Sequence, residues 1–528
     1  MTTIKKISFL FTISLLLLTG CSMITNRTAR TSPQNATTTT ARPPAPAPVS
    51  AIPATPRITS THMLIENTNA KTIVTLNNGR AQIDGLGAEF SNDTLTITTG
   101  GMYVLSGELD GQILIDATRD DVIQLVLNNI KVHNDVGPAI FAPRSQRVEI
   151  ILIEDTLNTI SDGPHLISGS NAAIYIQHDL LIWGCGQLFI TGNYNHGLRS
   201  QGILTVNEGR INAVTTLRGD TIRGRNGVII NDGDFSLHPV RDGIRTTRVD
   251  DSERGFLTIN GGNFNINSGG HAMQVRSSTA QTTITDGNFQ FRSYRKGITS
   301  RGPVLISGGN FNILDSWEGI EGLNVTITGG NFYIIARDDG INARRHRSLP
   351  VTEDTIDARI ESCLTDEVFI RITGGVIEIY AYGDGLDSNG NLFIDGGQVR
   401  ITAPSYLMEG AIDYIGIFVL TGGEIITAGS MYTHDVRATQ PIIYMRYDRL
   451  HDAGSLIEIR DASNNPVLVY ESRAPFSATV FSSPLFEIGG RYYPYINDER
   501  MTGITIEEYF TYYVARTPAT RARRGLFR

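Results

Sequence analysis

The chain has 528 residues, 40% of them hydrophobic, which is ample for a large core and excludes a chain disordered throughout. Its 53 acidic residues outnumber 45 basic ones, a formal net charge of −8, so there is no broad cationic surface for non-specific nucleic-acid binding and no nucleic-acid partner is expected. The 54 glycines, set among many β-branched residues, predict short strands separated by tight turns in an all-β chain.

At the N-terminus Lys5 and Lys6 precede an apolar run from Ile7 to Leu18 that ends in Leu18-Thr19-Gly20-Cys21. That run is too short to span a bilayer comfortably. Residues 1–20 resemble a bacterial lipoprotein signal, whose removal leaves Cys21 as the lipidated N-terminus. A simple secretory peptide with a chance cysteine is the alternative. Either route exports the mature chain, to the cell surface or the periplasm, and the lipid would anchor it to a membrane. Residues 21–60 are rich in Thr, Pro and Ala, with Thr37-Thr38-Thr39-Thr40 and Pro43-Pro44-Ala45-Pro46, and read as an extended tether. Cys185 and Cys363 are the other two cysteines, too few for a disulfide framework, and their pairing stays open.

Residues 61–438 carry an internal repeat built on glycines. Its clearest copies run Leu257 to Ile266 (LTINGGNFNI), Val304 to Ile313 (VLISGGNFNI), Val325 to Ile334 (VTITGGNFYI), Ile370 to Ile379 (IRITGGVIEI) and Leu392 to Ile401 (LFIDGGQVRI). Taking the second turn glycine as marker gives Gly186, Gly209, Gly233, Gly262, Gly287, Gly309, Gly330, Gly375, Gly397 and Gly423, mostly 21 to 29 residues apart. The longer Gly330 to Gly375 interval reads as one coil plus an insertion over roughly Arg344 to Glu367. Apolar residues alternate on both sides of each glycine pair, so each arm is a strand with one inward face. A period of about 22 residues fits a solenoid turn of about three strands. Coils stacked about 4.8 Å apart would pair edge to edge and bury Ile and Phe in interior ladders. Propeller blades need about 40 residues each, and the Leu/Asn framework of leucine-rich repeats is missing. The expected fold is a right-handed parallel β-helix.

Between the glycine turns an acid recurs before Gly and an aliphatic: Asp242-Gly243-Ile244, Glu318-Gly319-Ile320, Asp339-Gly340-Ile341 and Asp384-Gly385-Leu386. Glu409-Gly410-Ala411-Ile412 is a variant. Glu321, Asn342 and Asp387 follow three residues after the first acid in their copies. Superposed on successive coils, such carboxylates repel severely without a cation. Oxygen donors without a His/Cys cluster suit calcium far better than zinc. The predicted ligand group is Asp338, Asp339, Asn342, Asp384, Asp387, Asn389, Glu409 and Asp413. Asp-Gly is also a common tight turn, with Asp bonding backbone N–H groups and Gly at positive φ.

Trp317, Tyr380, Tyr382, Tyr406 and Tyr414 lie near the later turns, where flat rings could stack on sugars or simply pack. Ile377, Ile379 and Ala381 fill one face of their strand, which leaves Tyr380 and Tyr382 outward. Arg344 and Arg345 are further candidates for ligand contact. After about Gln440 the glycine marker ends, and residues 439–515 read as strands closing the solenoid's open end. Residues 516–528 form an Arg-rich tail.

Asn193-Tyr194-Asn195-His196-Gly197, Gly383 to Gly390, Gly410-Ala411-Ile412-Asp413-Tyr414 and Phe481-Ser482-Ser483-Pro484 resemble the bacterial carbohydrate-binding domain family with a pectate-lyase-like β-helix, from about Met63 to Ile496. The resemblance implies an extracellular protein that binds plant-type, pectin-like polysaccharide, acidic sugars in particular, with calcium in the coil turns; a monomer is expected. It does not imply catalysis. The chain departs from that pattern at Gln201-Gly202, Arg218-Gly219-Asp220, Arg295-Lys296 and Ile415, which confines the expected metal sites to later coils. Two alternatives stand beside glycan binding. One is a polysaccharide lyase using Arg245, Lys296, Arg344 or Arg345 as base, although Arg is a poor base and Arg344-Arg345-His346-Arg347 reads as a solvated loop. The other is a structural or adhesive surface protein.

Overall fold

The computed structural model describes residues 71–165, 169–249, 251–345, 366–405 and 409–515. The expected signal, Cys21, the tether to residue 60, His346, Arg347, Cys363, Tyr406 and the tail 516–528 lie outside the described residues. Among the described residues every regular element is a β-strand. They wind a right-handed parallel β-helix of about twelve turns.

One coil shows the plan. Ile298–Ser300 is a short strand, Val304–Ile306 leads into a glycine turn, and Asn310–Ser316 leaves it. Short strands stack into a 14-stranded sheet, and the two flanking strands of each coil build a 28-stranded sheet. From Ile222 to Tyr414 the short strands keep register residue for residue, with Ile298 beside Met273 on one coil and Ile320 on the next. A shift by one residue would turn every inward side chain to solvent, so the alternation of apolar residues holds the coils in register.

The repeated Phe positions form the interior stack that the repeat predicts. Phe235, Phe264, Phe289, Phe311 and Phe332 lie ring on ring with centroids 4.4 to 5.0 Å apart. Outside them the preceding Asn side chains form a matching amide ladder. Asn331 donates to Asn310, Asn310 to Asn288 and Asn288 to Asn263 at 2.8 to 2.9 Å. The G-N-F segment thus places one polar and one apolar ladder back to back.

Two glycine roles separate here. Gly309 and Gly330 have φ of 99° and 100°, the left-handed turn that the Gly-Gly pair predicts. In the first marker copy that conformation belongs to Gly184 rather than Gly186, because the segment is Gly184-Cys185-Gly186. The Asp-Gly glycines differ from the expectation of positive φ. A Cβ on Gly340 would lie 2.4 Å from Ile379 Cγ2 and 2.6 Å from Gly385 O, so close packing between coils excludes a side chain there.

Beyond the last coil, Phe476–Ser482 pairs antiparallel with Phe418–Ala428 and with Ile442–His451. Phe510–Ala515 pairs parallel with Ile442–His451. These strands enclose a second apolar cluster around Ile443, Phe476, Phe481 and Ile506. Of the two other cysteines, Cys185 places its thiol 3.8 Å from Glu208.

Candidate functional site

The outer face of the short-strand sheet carries two columns of chemistry. One residue after each inward aliphatic, the register stacks Arg223, Arg245, Gln274, Thr299, Glu321, Asn342, Asp387 and Asp413. Two residues before it stand His196, Asp220, Asp242, His271, Lys296, Glu318, Asp339 and Asp384. Along this face the charge changes from basic to acidic.

The first-position carboxylates do bond backbone, as a simple turn would. Asp242 Oδ1 accepts the His271 N–H at 2.9 Å, Asp339 Oδ1 that of Asp384 at 3.0 Å, and Asp384 Oδ1 that of Gly410 at 2.5 Å. Each such contact uses one oxygen and leaves the other for further chemistry.

Acids in the earlier coils have cations built in. Asp242 meets Arg245 at 3.0 Å, Glu318 meets Lys296 at 3.0 Å, and Glu321 meets both Lys296 and Arg344. From Asp339 onward the pattern changes. Asp339, Asp384 and Asp387 form no ion pair among the described residues, yet one oxygen of each lies within 4.8 Å of those of the other two. Glu318, Asp338 and Asp339 make a second such triad, so Asp339 is shared.

Burial and mutual repulsion hold these groups far from the ordinary carboxylate range. Asp384 is pushed up to about 9, first by burial and then by Asp413 and Asp339. Asp339 rises to about 7 and Glu318 to about 8, each first by burial. Asp387 lies well above the usual range for the same reason. Asn342, 3% exposed, donates to Asp339 Oδ2 at 2.9 Å, and its own Oδ1 has no hydrogen-bond partner. A buried carbonyl oxygen left without a donor, beside clustered carboxylates, is a donor set for a hard cation.

All eight residues in the predicted ligand group reach this strip. Asn389 donates to Asp387 at 3.3 Å, Asp413 is in register with Asp387, and the charge of Glu409 acts on Asp339 and Asp384. Glu318 was not in the predicted group. Its signal was present in Glu318-Gly319-Ile320, but only the fold brings it against Asp338 and Asp339. The solvated-loop reading of Arg344 needs correction. Its N–H continues the ladder to Gly322 O at 2.8 Å and its side chain closes over buried Glu321, so it belongs to the coil rather than the insertion. Arg345 turns to Glu367. Arg245, Lys296, Arg344 and Arg345 all have their side chains engaged by carboxylates, Asp242, Glu318, Glu321 and Glu367 respectively.

Tyr380 stands half-buried on the outer face of the adjacent long-strand wall, and Tyr382 at the corner is 58% exposed. Trp317 is 42% exposed, whereas Tyr414 is interior and donates to His434 O at 2.5 Å. Tyr294, 71% exposed, is a further outward aromatic that the sequence reading did not single out.

At the basic end His196 and His271 are neutral in the fold. Burial, then neighbouring Arg223, holds His196 down to about 2, and burial holds His271 down to about 4. His196 Nε2 accepts from Arg223 Nη1 at 2.7 Å, which requires an unprotonated nitrogen. The unfolded chain binds these protons near pH 6.5, so stability from neutral histidine is present above that pH and falls as pH drops. Between pH 6.5 and 4 the His196→Gln variant should lose stability less steeply than the parent, by roughly 1.4 kcal/mol per pH unit. Denaturant titrations at stepped pH read this slope; parallel curves would refute it.

The model of the family described as carbohydrate-binding domain-containing protein matches residues 91–343 and 292–413, more than half of the chain. The protein belongs to this carbohydrate-binding domain-containing family. It is 30% identical over 151 residues to a carbohydrate-binding domain-containing protein of Acetivibrio thermocellus, over 27% of this chain and 52% of that protein. The chain therefore spans about half the length of this curated relative. A solved polysaccharide lyase-like protein from C. thermocellum, a gadolinium derivative, aligns over 70% of this chain and 94% of its own at 19% identity and a TM-score of 0.26.

Proposed function

We propose that this is an exported, membrane-tethered and non-catalytic glycan-binding β-helix that holds calcium on Asp339, Asp384 and Asp387 and uses it to bind acidic, pectin-like polysaccharide. The observation that carries this reading is the pair of carboxylate triads sharing Asp339, with the orphaned Asn342 Oδ1 beside them. Family membership supplies the carbohydrate. Calcium accepts six to eight oxygen ligands, enough to take protein carboxylates and still bind a uronate carboxylate from the sugar. Tyr294, Trp317 and Tyr382, exposed at the coil corners, offer flat surfaces for sugar rings. The tether reading rests on Lys5, Lys6, the Ile7 to Leu18 run and Cys21. Recovery of the full-length chain in the detergent-extracted membrane fraction checks it.

The test is retention of the purified protein on immobilised polygalacturonate with calcium and with chelator, while ultraviolet absorbance follows unsaturated product. Retention that chelator reduces, without product, is the expected result. Product formation would move the reading to a lyase, and calcium-independent retention of unchanged strength would remove the metal from it.

A further inference from the structure

The middle coils hold a hollow of about 460 Å³ on the same face, just before the acidic strip. Seven cationic side chains border it against only two carboxylates, Asp242 and Glu321, in a chain whose overall charge is −8. Some of those cations are already neutralised, Arg245 by Asp242, and Lys296 and Arg344 by Glu321. Arg241, Arg276, Arg295 and Arg301 are not: none makes an ion pair or a side-chain hydrogen bond among the described residues.

Like charges on coils about 4.8 Å apart repel. Arg276 registers this, its guanidinium held below its ordinary value by burial and then by Arg245, Arg301 and Arg241. Among the described residues lining the hollow, three have a buried side-chain polar atom without a hydrogen-bond partner: Nε of Arg245, a residue 7% exposed, Oε1 of Gln274, and Nε of Arg344, the last ion-paired with Glu321. A buried guanidinium N–H without an acceptor, on a residue that lines a hollow together with four guanidinium groups outside any ion pair among the described residues, makes a donor set suited to an anion.

We propose that this hollow is a second, metal-independent subsite in which guanidinium groups bind carboxylate or sulfate groups of a glycan directly. The inference rests on the protein's being a binder of acidic glycans and adds to it how the middle coils take part. Where the later coils reach the polymer through a cation held on acids, these coils carry the cation as side chains. The planar guanidinium forks suit bidentate contact with either oxyanion, and Gln274 can accept a sugar hydroxyl. A chain laid along the helix axis would pass from the arginine subsite to the acidic strip.

The experiment measures retention of the full-length protein on polygalacturonate, dextran sulfate and neutral dextran in chelator at low ionic strength, and again with calcium. In chelator the parent should bind an anionic polymer but not neutral dextran, with affinity falling as salt screens the charges. The stronger of the two anionic polymers identifies the preferred oxyanion. Arg276→Ala with Arg301→Ala should weaken this retention roughly tenfold or more, and Arg276→Lys with Arg301→Lys should restore part of it. Preserved calcium-dependent retention of the alanine variant shows that it folds. Absence of chelator-resistant binding in the parent, or equal binding by the parent and alanine variant, overturns this subsite. Either result leaves calcium-dependent retention standing, whereas loss of calcium dependence alone overturns the metal reading and leaves the arginine subsite.

Discussion

If the proposed calcium site is correct, replacing Asp384 and Asp387 together by Asn should abolish calcium-induced stabilisation, while the calcium-free variant should be at least as stable as the parent at pH 8. Asparagine keeps the Oδ1 that accepts the Gly410 N–H but removes the charge. In the parent without metal, burial and repulsion favour protonated Asp384 and Asp387. Their folded pKa values exceed the unfolded ones, so the folded state binds more protons and its stability falls as pH rises. For Asp339 and Asp384 that window runs from about 4 up to about 7 and 9. In the proposed site calcium would replace those protons. Its binding should release protons near neutral pH, and the gain in stability should grow with pH. At a calcium concentration a hundredfold above its dissociation constant the parent should gain about 2.7 kcal/mol. Calorimetry in buffers of different ionisation enthalpy measures the released protons, and thermal unfolding measures the gain. A variant that still gains stability from calcium would rule out this site.

The second large effect is on stability, at the centre of the phenylalanine stack. Phe311 is 1% exposed and lies 4.4 Å from the Phe289 ring and 4.6 Å from that of Phe332. Phe311→Ala removes both contacts and leaves a cavity that coils held by backbone pairing on each side cannot close, at a cost of about 3 to 5 kcal/mol. Because each coil contacts chiefly its neighbours, the loss should be local. Hydrogen exchange should accelerate around the Phe289 to Phe332 coils while the Leu95 to Leu127 region keeps its protection. Uniform acceleration along the chain would show a single cooperative unit instead.

Much of the fold was legible because a solenoid repeats its physics. Each Gly-Gly copy meets the same demand, a left-handed turn followed by one outward and one inward side chain, most often Asn and Phe, so periodicity and alternation reveal the coil without any partner. The acidic strip was legible for the same reason, and all eight predicted residues reach it. What escaped was anything whose meaning depends on its neighbours one coil away. Lys296 departs from the acidic pattern, yet stacking places its ammonium between Glu318 and Glu321, where it supplies a counter-charge.

The sequence by itself determined the β-helix, its period and the acidic turns, because these follow from backbone conformation and side-chain alternation within one coil. The tertiary structure decided which charges meet. Superposition in register makes residues 22 to 45 positions apart immediate neighbours, as with Thr299 and Glu321 or Asp339 and Asp384. That stacking separates acids compensated by Arg or Lys from acids left to one another. It also gathers Arg241, Arg276, Arg295 and Arg301, unremarkable as single residues, around one hollow.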